Sequence, residues 1–215
     1  MARYRWEPEA GAAGRYRDAG TGRFVAGRVV RRELDAYIVN SDDGARALAR
    51  ALRNREISLA DWELQMRQHV KRIHVNAIAA ERGGYANMRP QDYGRAGQIV
   101  REQYGYLRNF AQQVAAGTQR LDGTVERRAS LYTEAARNSW YRSKGANLRP
   151  EVTHVRSIRS ARDSCWQCVE LHERVFRIGD PSFLLPGRRV CNHNCQCRLD
   201  YLALSGDGYE TVETA

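Results

Sequence analysis

All five cysteines of this 215-residue chain lie in one stretch near its C-terminal end: Cys165, Cys168, Cys191, Cys195 and Cys197. The first two form a CxxC pair, and the last three fall within CNHNCQCR, residues 191–198, together with His193. A two-residue spacer lets both sulfurs reach one ion, and zinc takes four S or N ligands at tetrahedral angles. The spacing therefore predicts a metal site, with zinc as the favoured ion.

The candidate ligands outnumber the four that one zinc ion needs. The CxxC pair can supply two, and the second pair must come from a group of four: Cys191, His193, Cys195 and Cys197. Residue types and spacing leave that choice open. A small β module with little apolar core gains folding free energy from a bound metal, which favours a structural site.

Two other chemistries also use clustered cysteines. Disulfides would leave one of the five thiols unpaired, and a reducing cytoplasm disfavours them. A redox-active CxxC normally opens a helix after a strand in a parallel βαβ arrangement, which the sequence pattern does not suggest here. We therefore rank a structural metal site first, disulfides second and a cysteine nucleophile third.

Other catalytic patterns are missing from the sequence. We find no Ser/His/Asp set, no HExxH and no phosphate-binding glycine loop, and GRAGQ at 94–98 is too short to count as one. The histidines outside the cysteine stretch that we considered, His154 and His172, fit surface or hydrogen-bonded positions better than metal sites. We expect a protein that is not an enzyme.

The chain is strongly basic, with a formal net charge of +10 carried almost entirely by 33 arginines against two lysines. Arginine binds phosphate through a planar fork, so nucleic acid is a plausible neighbour. The arginines are spread along the chain, however, and a GC-rich genome would also write them as ordinary solvated cations. Basic charge alone therefore does not predict DNA binding.

Membrane and export signals are weak. No apolar run approaches the ~18 residues of a membrane span, and MARYRWEPEA lacks the apolar centre of a signal peptide. We expect a protein of the cytoplasm of whatever cell makes it, without membrane association.

Apolar residues at helical spacing predict a mainly α fold, with helices at about 30–38, 45–53, 58–82, 93–116 and 123–144. SDDG is expected to stop the first, Ser58 to begin the third, and Gly83-Gly84 to end it. After 145–150 the pattern becomes β-like, with a short hairpin around ELHERVFRIG, and the acidic end is expected to fray. We divide the chain into a basic flexible arm with a possible hairpin, a helical body, a cysteine-rich β or zinc-ribbon-like module and an acidic tail: 1–28, 29–147, 148–204 and 205–215.

The cysteine stretch resembles a known family. RDSCWQCVELHERVFRIGDPSFLLPGRRVCNHNCQCRLDYL is similar to the C-terminal module of phage head morphogenesis proteins, the Mu F-like minor head proteins. The CxxC, the strand at Val175 and Phe176, the proline loop LLPG and the ending CQCR match that pattern. NHNCQC replaces the family's HPxCRC, which displaces His193 by one place, and Cys191 is an extra cysteine. The helices upstream also resemble such proteins, so that the similarity covers most of 57–202.

The resemblance implies a non-enzymatic virion component. Such proteins sit in few copies at the portal vertex inside the procapsid, so the implied partners are portal and capsid proteins and packaged double-stranded DNA. The implied location is the virion, and the host cytoplasm during assembly. The preferred zinc ligands are then four cysteines, with Cys191 and His193 in reserve: Cys165, Cys168, Cys195 and Cys197.

A second hypothesis comes from a different class. The same cysteine knuckle and the N-terminal arginines would suit a sequence-nonspecific nucleic-acid-binding protein. That protein would bind DNA with an affinity that falls steeply with salt, whereas a protein that only docks on the portal need not bind DNA at all.

Overall fold

The computed structural model describes residues 4–7, 15–148, 150–160, 162–186, 188–191, 195, 197–206 and 208–214. The N-terminal strands are β1 Tyr4–Glu7, β2 Arg15–Asp18 and β3 Phe24–Val25. The helical body follows, with α1 Gly27–Arg53, α2 Leu59–Glu81, a 3₁₀ turn at Tyr85–Asn87, α3 Pro90–Ala115, α4 Gly123–Glu134 and α5 Ala136–Ala146. The C-terminal elements are β4 Val152–Ile158, α6 Trp166–Glu170, β5 Val175–Arg177, β6 Arg198–Ser205 and β7 Gly208–Thr214. The predicted fold class, a helical body with a small cysteine-bearing β module, is confirmed.

The central helix α2 begins and ends where local chemistry predicts. The Ser58 hydroxyl accepts a hydrogen bond from the Asp61 backbone N–H at 3.1 Å, which satisfies a donor of the first turn. At the other end Gly83 and Gly84 take positive φ angles of 73° and 128°, which side chains disfavour. Between these ends the apolar stripe that includes Trp62 is fully buried. None of the helices in the described ranges is both long and apolar enough to cross a membrane.

The first helix contradicts the expected break at SDDG, because α1 continues through it from Gly27 to Arg53. Gly44 faces α2 so closely that an added Cβ would lie 3.3 Å from Cε1 of His69. The glycine therefore serves close packing between two helices instead of a turn. Asp42 also pairs with Arg46 one turn further along the same helix. Tertiary contact thus overrides the local turn signal.

The predicted helix at 123–144 is divided at Ala135 into α4 and α5. The Asn138 N–H donates to the Ala135 carbonyl at 3.1 Å, a three-residue step that tightens the turn at the junction. After it, Trp140 and Tyr141 of α5 are both about 1% exposed, although they are sequence neighbours. Both faces of α5 are therefore enclosed.

The four C-terminal strands form an antiparallel sheet in the order β5-β4-β6-β7. The expectation of a frayed acidic end is wrong, because β7 pairs with β6 along Gly208–Thr214. The hairpin expected around ELHERVFRIG is also absent from the described residues: α6 is followed by β5, which pairs with β4. Glu173 lies between α6 and β5 and turns the chain there, at a positive φ of 61°. Its N–H donates to the Ser157 carbonyl at 2.8 Å.

The sheet and the helices share one apolar core. Residues of α1, α2 and α5 pack in the same cluster as residues of β4, β5 and β6, among them Ile73, Trp140, Val155 and Leu199. A second cluster, centred on Trp62, lies among α1, α2, α3 and α4. The C-terminal module is therefore packed against the helical body through the first cluster and is remote from the second.

The N-terminal strands also pack on the helices. β2 pairs with β3 around the Gly-rich turn, as predicted. Tyr16, on β2, is 1% exposed and donates its hydroxyl to the Glu81 carbonyl at 2.8 Å. Tyr4 and Val30 complete this small cluster. The segment expected to be a flexible arm is thus held, in its described residues, by aromatic contacts that its composition does not reveal.

Candidate metal centre

The sheet register brings the two cysteine groups together. Ile158, the last residue of β4, pairs with Arg198, the first residue of its antiparallel neighbour β6. Cys165 and Cys168 follow the end of β4, and Cys197 directly precedes β6. Because these ends lie side by side, the CxxC pair and the CQC group meet at one edge of the sheet.

The sulfur atoms are spaced as a metal site requires. Sγ of Cys168 lies 3.5 Å from Sγ of Cys191 and 3.8 Å from Sγ of Cys195. A Zn–S bond of about 2.3 Å gives a sulfur–sulfur edge of about 3.8 Å in a tetrahedral site. A disulfide bond would be about 2.05 Å. At 3.5 and 3.8 Å these sulfurs are spaced for a shared ion and not for a bond to each other.

Two overlapping groups of three could each hold an ion, and Cys168 belongs to both. In each group the sulfurs lie within 4.8 Å of one another: Cys165, Cys168 and Cys191 in one, Cys168, Cys195 and Cys197 in the other. Cys168, Cys195 and Cys197 are buried, whereas Cys165 and Cys191 are partly exposed. Cys168 is therefore the central sulfur of the cluster.

The predicted ligands are brought together with one change of emphasis. All four preferred cysteines are in the cluster, and Cys191, which the sequence places in reserve, is as close to Cys168 as Cys195 is. His193 lies outside the described residues. His154 and His172 belong to neither group of three. The cluster as a whole can hold a metal ion.

The protons of the cluster are distributed unevenly. A hydrogen bond from the Cys197 thiol lowers the pKa of Cys195 to about 4. The same bond raises the pKa of Cys197 far above its usual range, since that thiol donates its proton. Burial raises the pKa values of Cys168 and Cys191. Burial acts to raise the pKa of Cys165, but hydrogen bonds from Cys168 and Cys191 lower it overall. The thiols alone thus favour negative charge on Cys195 and Cys165, and a divalent ion among them would allow more of them to ionise.

A buried arginine that the sequence does not single out accompanies the sulfurs. Arg189 is 1% exposed; its Nε donates to the Leu184 carbonyl at 2.8 Å, and Nη1 lies 3.6 Å from Sγ of Cys168. Its Nη2 has no hydrogen-bond partner within the part of the chain that the structure describes. A buried guanidinium is costly unless negative charge lies close by. Thiolates of a metal site would supply that charge, so the residues present fit a thiolate-bound cation.

Two helices of the helical body donate hydrogen bonds to the backbone carbonyl of Cys197, in the cysteine cluster. Nη2 of Arg31, on α1, donates to the Cys197 carbonyl at 3.0 Å, and the Tyr141 hydroxyl of α5 donates to the same oxygen at 3.4 Å. The Arg31 guanidinium also lies over the Tyr141 ring, 5.5 Å from its centroid. Residues of two helices therefore hold in place the start of β6, which directly follows Cys197 of the second cysteine group.

Replacing Arg189 by Met should weaken metal binding and lower the stability of the metal-free protein. We expect zinc affinity to fall by about 10- to 100-fold, because the cation near the thiolates is lost. The metal-free protein should also become less stable, because the substitution removes the hydrogen bond to the Leu184 carbonyl and leaves the low-pKa Cys195 thiol without the Arg189 charge. Competition with a chromophoric chelator and urea unfolding in EDTA measure the two effects. Arg188→Met, at the exposed neighbouring position, is the control and should leave the affinity unchanged; equal affinities for Arg189→Met and the control would contradict the charge argument.

The arrangement can hold a cation, and in the part of it that the structure describes the sulfurs of Cys168, Cys195 and Cys197 are enclosed, since these residues are each about 1–3% exposed. Structural zinc sites are closed in this way, whereas catalytic ones keep a position for water or substrate.

No protein-family model, curated protein or solved structure matches this chain. The interpretation of its function therefore starts from the geometry of this site.

Proposed function

We propose that this chain is a minor head protein of a phage or prophage, a structural component whose C-terminal module is held by a zinc ion. The observation that carries the structural role is the convergence of all five thiols where the sheet meets the helical body. A metal at that place would join the ends of β4 and β6 to α6. The cysteines then have a structural function, not a catalytic one.

Zinc is the ion that the donor set favours. Thiolate ligands suit zinc, which has no redox chemistry and accepts a tetrahedral arrangement. Cys168 is the ligand common to both groups of three, and three further sulfurs come from the remaining cysteines. When bound, the ion would contribute Lewis-acid bonding to the thiolates and thereby folding free energy.

The head assignment rests on the resemblance of the cysteine module and the preceding helices to phage head morphogenesis proteins. In that role the helical body would contact the portal or capsid proteins, near packaged double-stranded DNA. The net charge of +10 is compatible with such a neighbour. The location would be the virion, with the host cytoplasm as the place of assembly.

Mass spectrometry of purified particles tests the head assignment. Particles from a lysate of the strain that encodes the chain are separated on a density gradient, and the chain is quantified against the portal and major capsid proteins. We expect it in DNA-filled heads, at a copy number far below that of the capsid protein. Its absence from particles that contain the portal protein would refute the assignment, while leaving the metal site to be judged by elemental analysis.

A second candidate function, sequence-nonspecific nucleic-acid binding, is favoured by one observation. Trp166 stands between Cys165 and Cys168, and 63% of it is exposed. An exposed aromatic ring on a basic protein is a surface on which unpaired bases stack. Binding of an oligonucleotide that weakens in high salt and is lost in Trp166→Ala would favour this candidate over a purely portal-docking role.

A further inference from the structure

One cavity among the described residues has no part in the metal site. It is a half-open groove of about 610 Å³ between α3, α5 and the module that follows them. Its apolar wall is formed by Val155, Ile178, Phe183, Leu185 and Tyr201. Volumes of 300–1,000 Å³ are usual for ligand sites, which often lie where two parts of a fold meet.

Arginines from three elements converge on this groove: Arg95 of α3, Arg142 of α5 and Arg188 of the loop after β5. Among the described residues of the lining the one acid, Asp180, accepts hydrogen bonds from the backbone N–H and the hydroxyl of Ser182 at 2.8 and 2.6 Å. The Asp180 carboxylate is thus hydrogen-bonded within its own turn. The lining is apolar on one side and cationic on the other.

The arginines of the rim are only half neutralised. Glu102 receives both Arg142 and Arg188, at 3.3 and 3.0 Å. Asp92 likewise receives both Arg82 and Arg95, each at 2.8 Å. Three guanidinium groups of the lining, together with Arg82 outside it, therefore share two carboxylates, and a further anion would find donors already held in place beside an apolar wall.

We propose that the groove binds an extended segment of a partner protein in which apolar side chains adjoin acidic ones. The apolar side chains would cover the wall at Ile178 and Phe183, and a carboxylate would bind at Arg142 and Arg188. The groove is open to solvent and is not an enclosed cavity, which favours a peptide segment over a small molecule shut away from solvent. This inference does not depend on the metal or on the head assignment.

Gly145 allows the groove to be blocked without disturbing the fold. It lines the groove from α5, and an added Cβ would meet no atom within 4 Å. Leu is also a stronger helix former than Gly. Gly145→Leu should therefore fold and fill the groove. Gly105, on α3 outside the lining, has equally open surroundings, and Gly105→Leu is the matched control.

Fluorescence polarisation of the full chain with a labelled peptide set tests the proposal. The set consists of fluorescein-labelled octapeptides that combine Leu, Ile or Phe with adjacent Asp or Glu, and a second set replaces each acid by its amide. We expect members of the acidic set to bind, and their amide counterparts to bind at least about tenfold more weakly. Gly145→Leu and Arg142→Glu should abolish binding. Gly105→Leu and Arg108→Glu, an exposed change on α3, should preserve it.

Three results would overturn the proposal. The first is that no member of the acidic set binds; the second is that Gly145→Leu binds as tightly as the unaltered chain. The third concerns the source of the carboxylate: if laurate binds to the groove and no peptide does, the occupant is a free amphipathic acid and not a protein segment.

Discussion

Cys168→Ser should remove the metal and destabilise the protein more than any other single change at the site. Cys168 belongs to both groups of three sulfurs, so neither group remains complete without it. Zinc content should therefore fall from about one ion per chain to nearly zero. Stability should fall with it, because the binding free energy of a structural zinc ion is folding free energy. A loss of about 4 kcal/mol would lower the thermal midpoint of a chain of this size by roughly 10 °C.

Elemental analysis and thermal unfolding of protein purified without added metal measure this effect. A chelator supplies the internal control: it should lower the midpoint of the unaltered chain by about the same amount and have no further effect on Cys168→Ser. Full zinc content in Cys168→Ser would refute the metal site as described. No metal in the unaltered chain, with all five thiols freely reactive, would do the same.

The damage should be confined by the two apolar cores. The first core joins β4 and β6 to α1, α2 and α5, and Arg31 and Tyr141 tie the Cys197 carbonyl to the helices. The second core, around Trp62, has no residue from the sheet. In Cys168→Ser, limited proteolysis should therefore cleave the chain within residues 150–200 and at the face of α5 that contacts the sheet. Helices α2, α3 and α4 should remain protected.

Local patterns predicted the elements well where the cause is local. The stripe along α2 and its cap at Ser58 follow from side-chain spacing and from one hydrogen bond, which the sequence shows directly. The break at SDDG was wrongly predicted because Gly44 packs closely against His69, which is distant in sequence. The strand β7 was missed for the same reason, since a short polar segment becomes a strand only when β6 offers it a partner.

The candidate site shows the same division between local and distant causes. The cysteine types and the CxxC spacing predicted that the thiols belong together, and they do lie together. The reason they meet is the pairing of Ile158 with Arg198, a register that no local pattern reveals. Arg189 could not be distinguished from the other 32 arginines by sequence, because its burial against Cys168 depends on how the loop closes.

Acid should destabilise the fold through His74, which lies fully buried between α2 and α5. Its Nδ1 is 2.6 Å from Oγ of Ser139, which is also buried. Burial lowers the pKa of His74 from 6.5 to about 4, and the nearby Arg142 charge lowers it too, against a raising effect from the Tyr132 carbonyl. The unfolded chain takes up a proton near pH 6.5, whereas the folded chain resists it until about pH 4. Stability is therefore full above pH 6.5 and is lost as the pH falls towards 4.

The difference between the two pKa values corresponds to about 3 kcal/mol lost by about pH 4. His74→Gln keeps a polar group beside Ser139 and cannot titrate, so its stability should fall less on acidification by about that amount. His69, whose pKa burial also lowers, titrates in both proteins and cancels in the comparison, as do the carboxylates and thiols. Urea unfolding of both proteins at about pH 7, 5.5 and 4 measures the difference. Parallel curves would show that His74 accepts its proton in the folded state, and that its surroundings are not as dry as their packing implies.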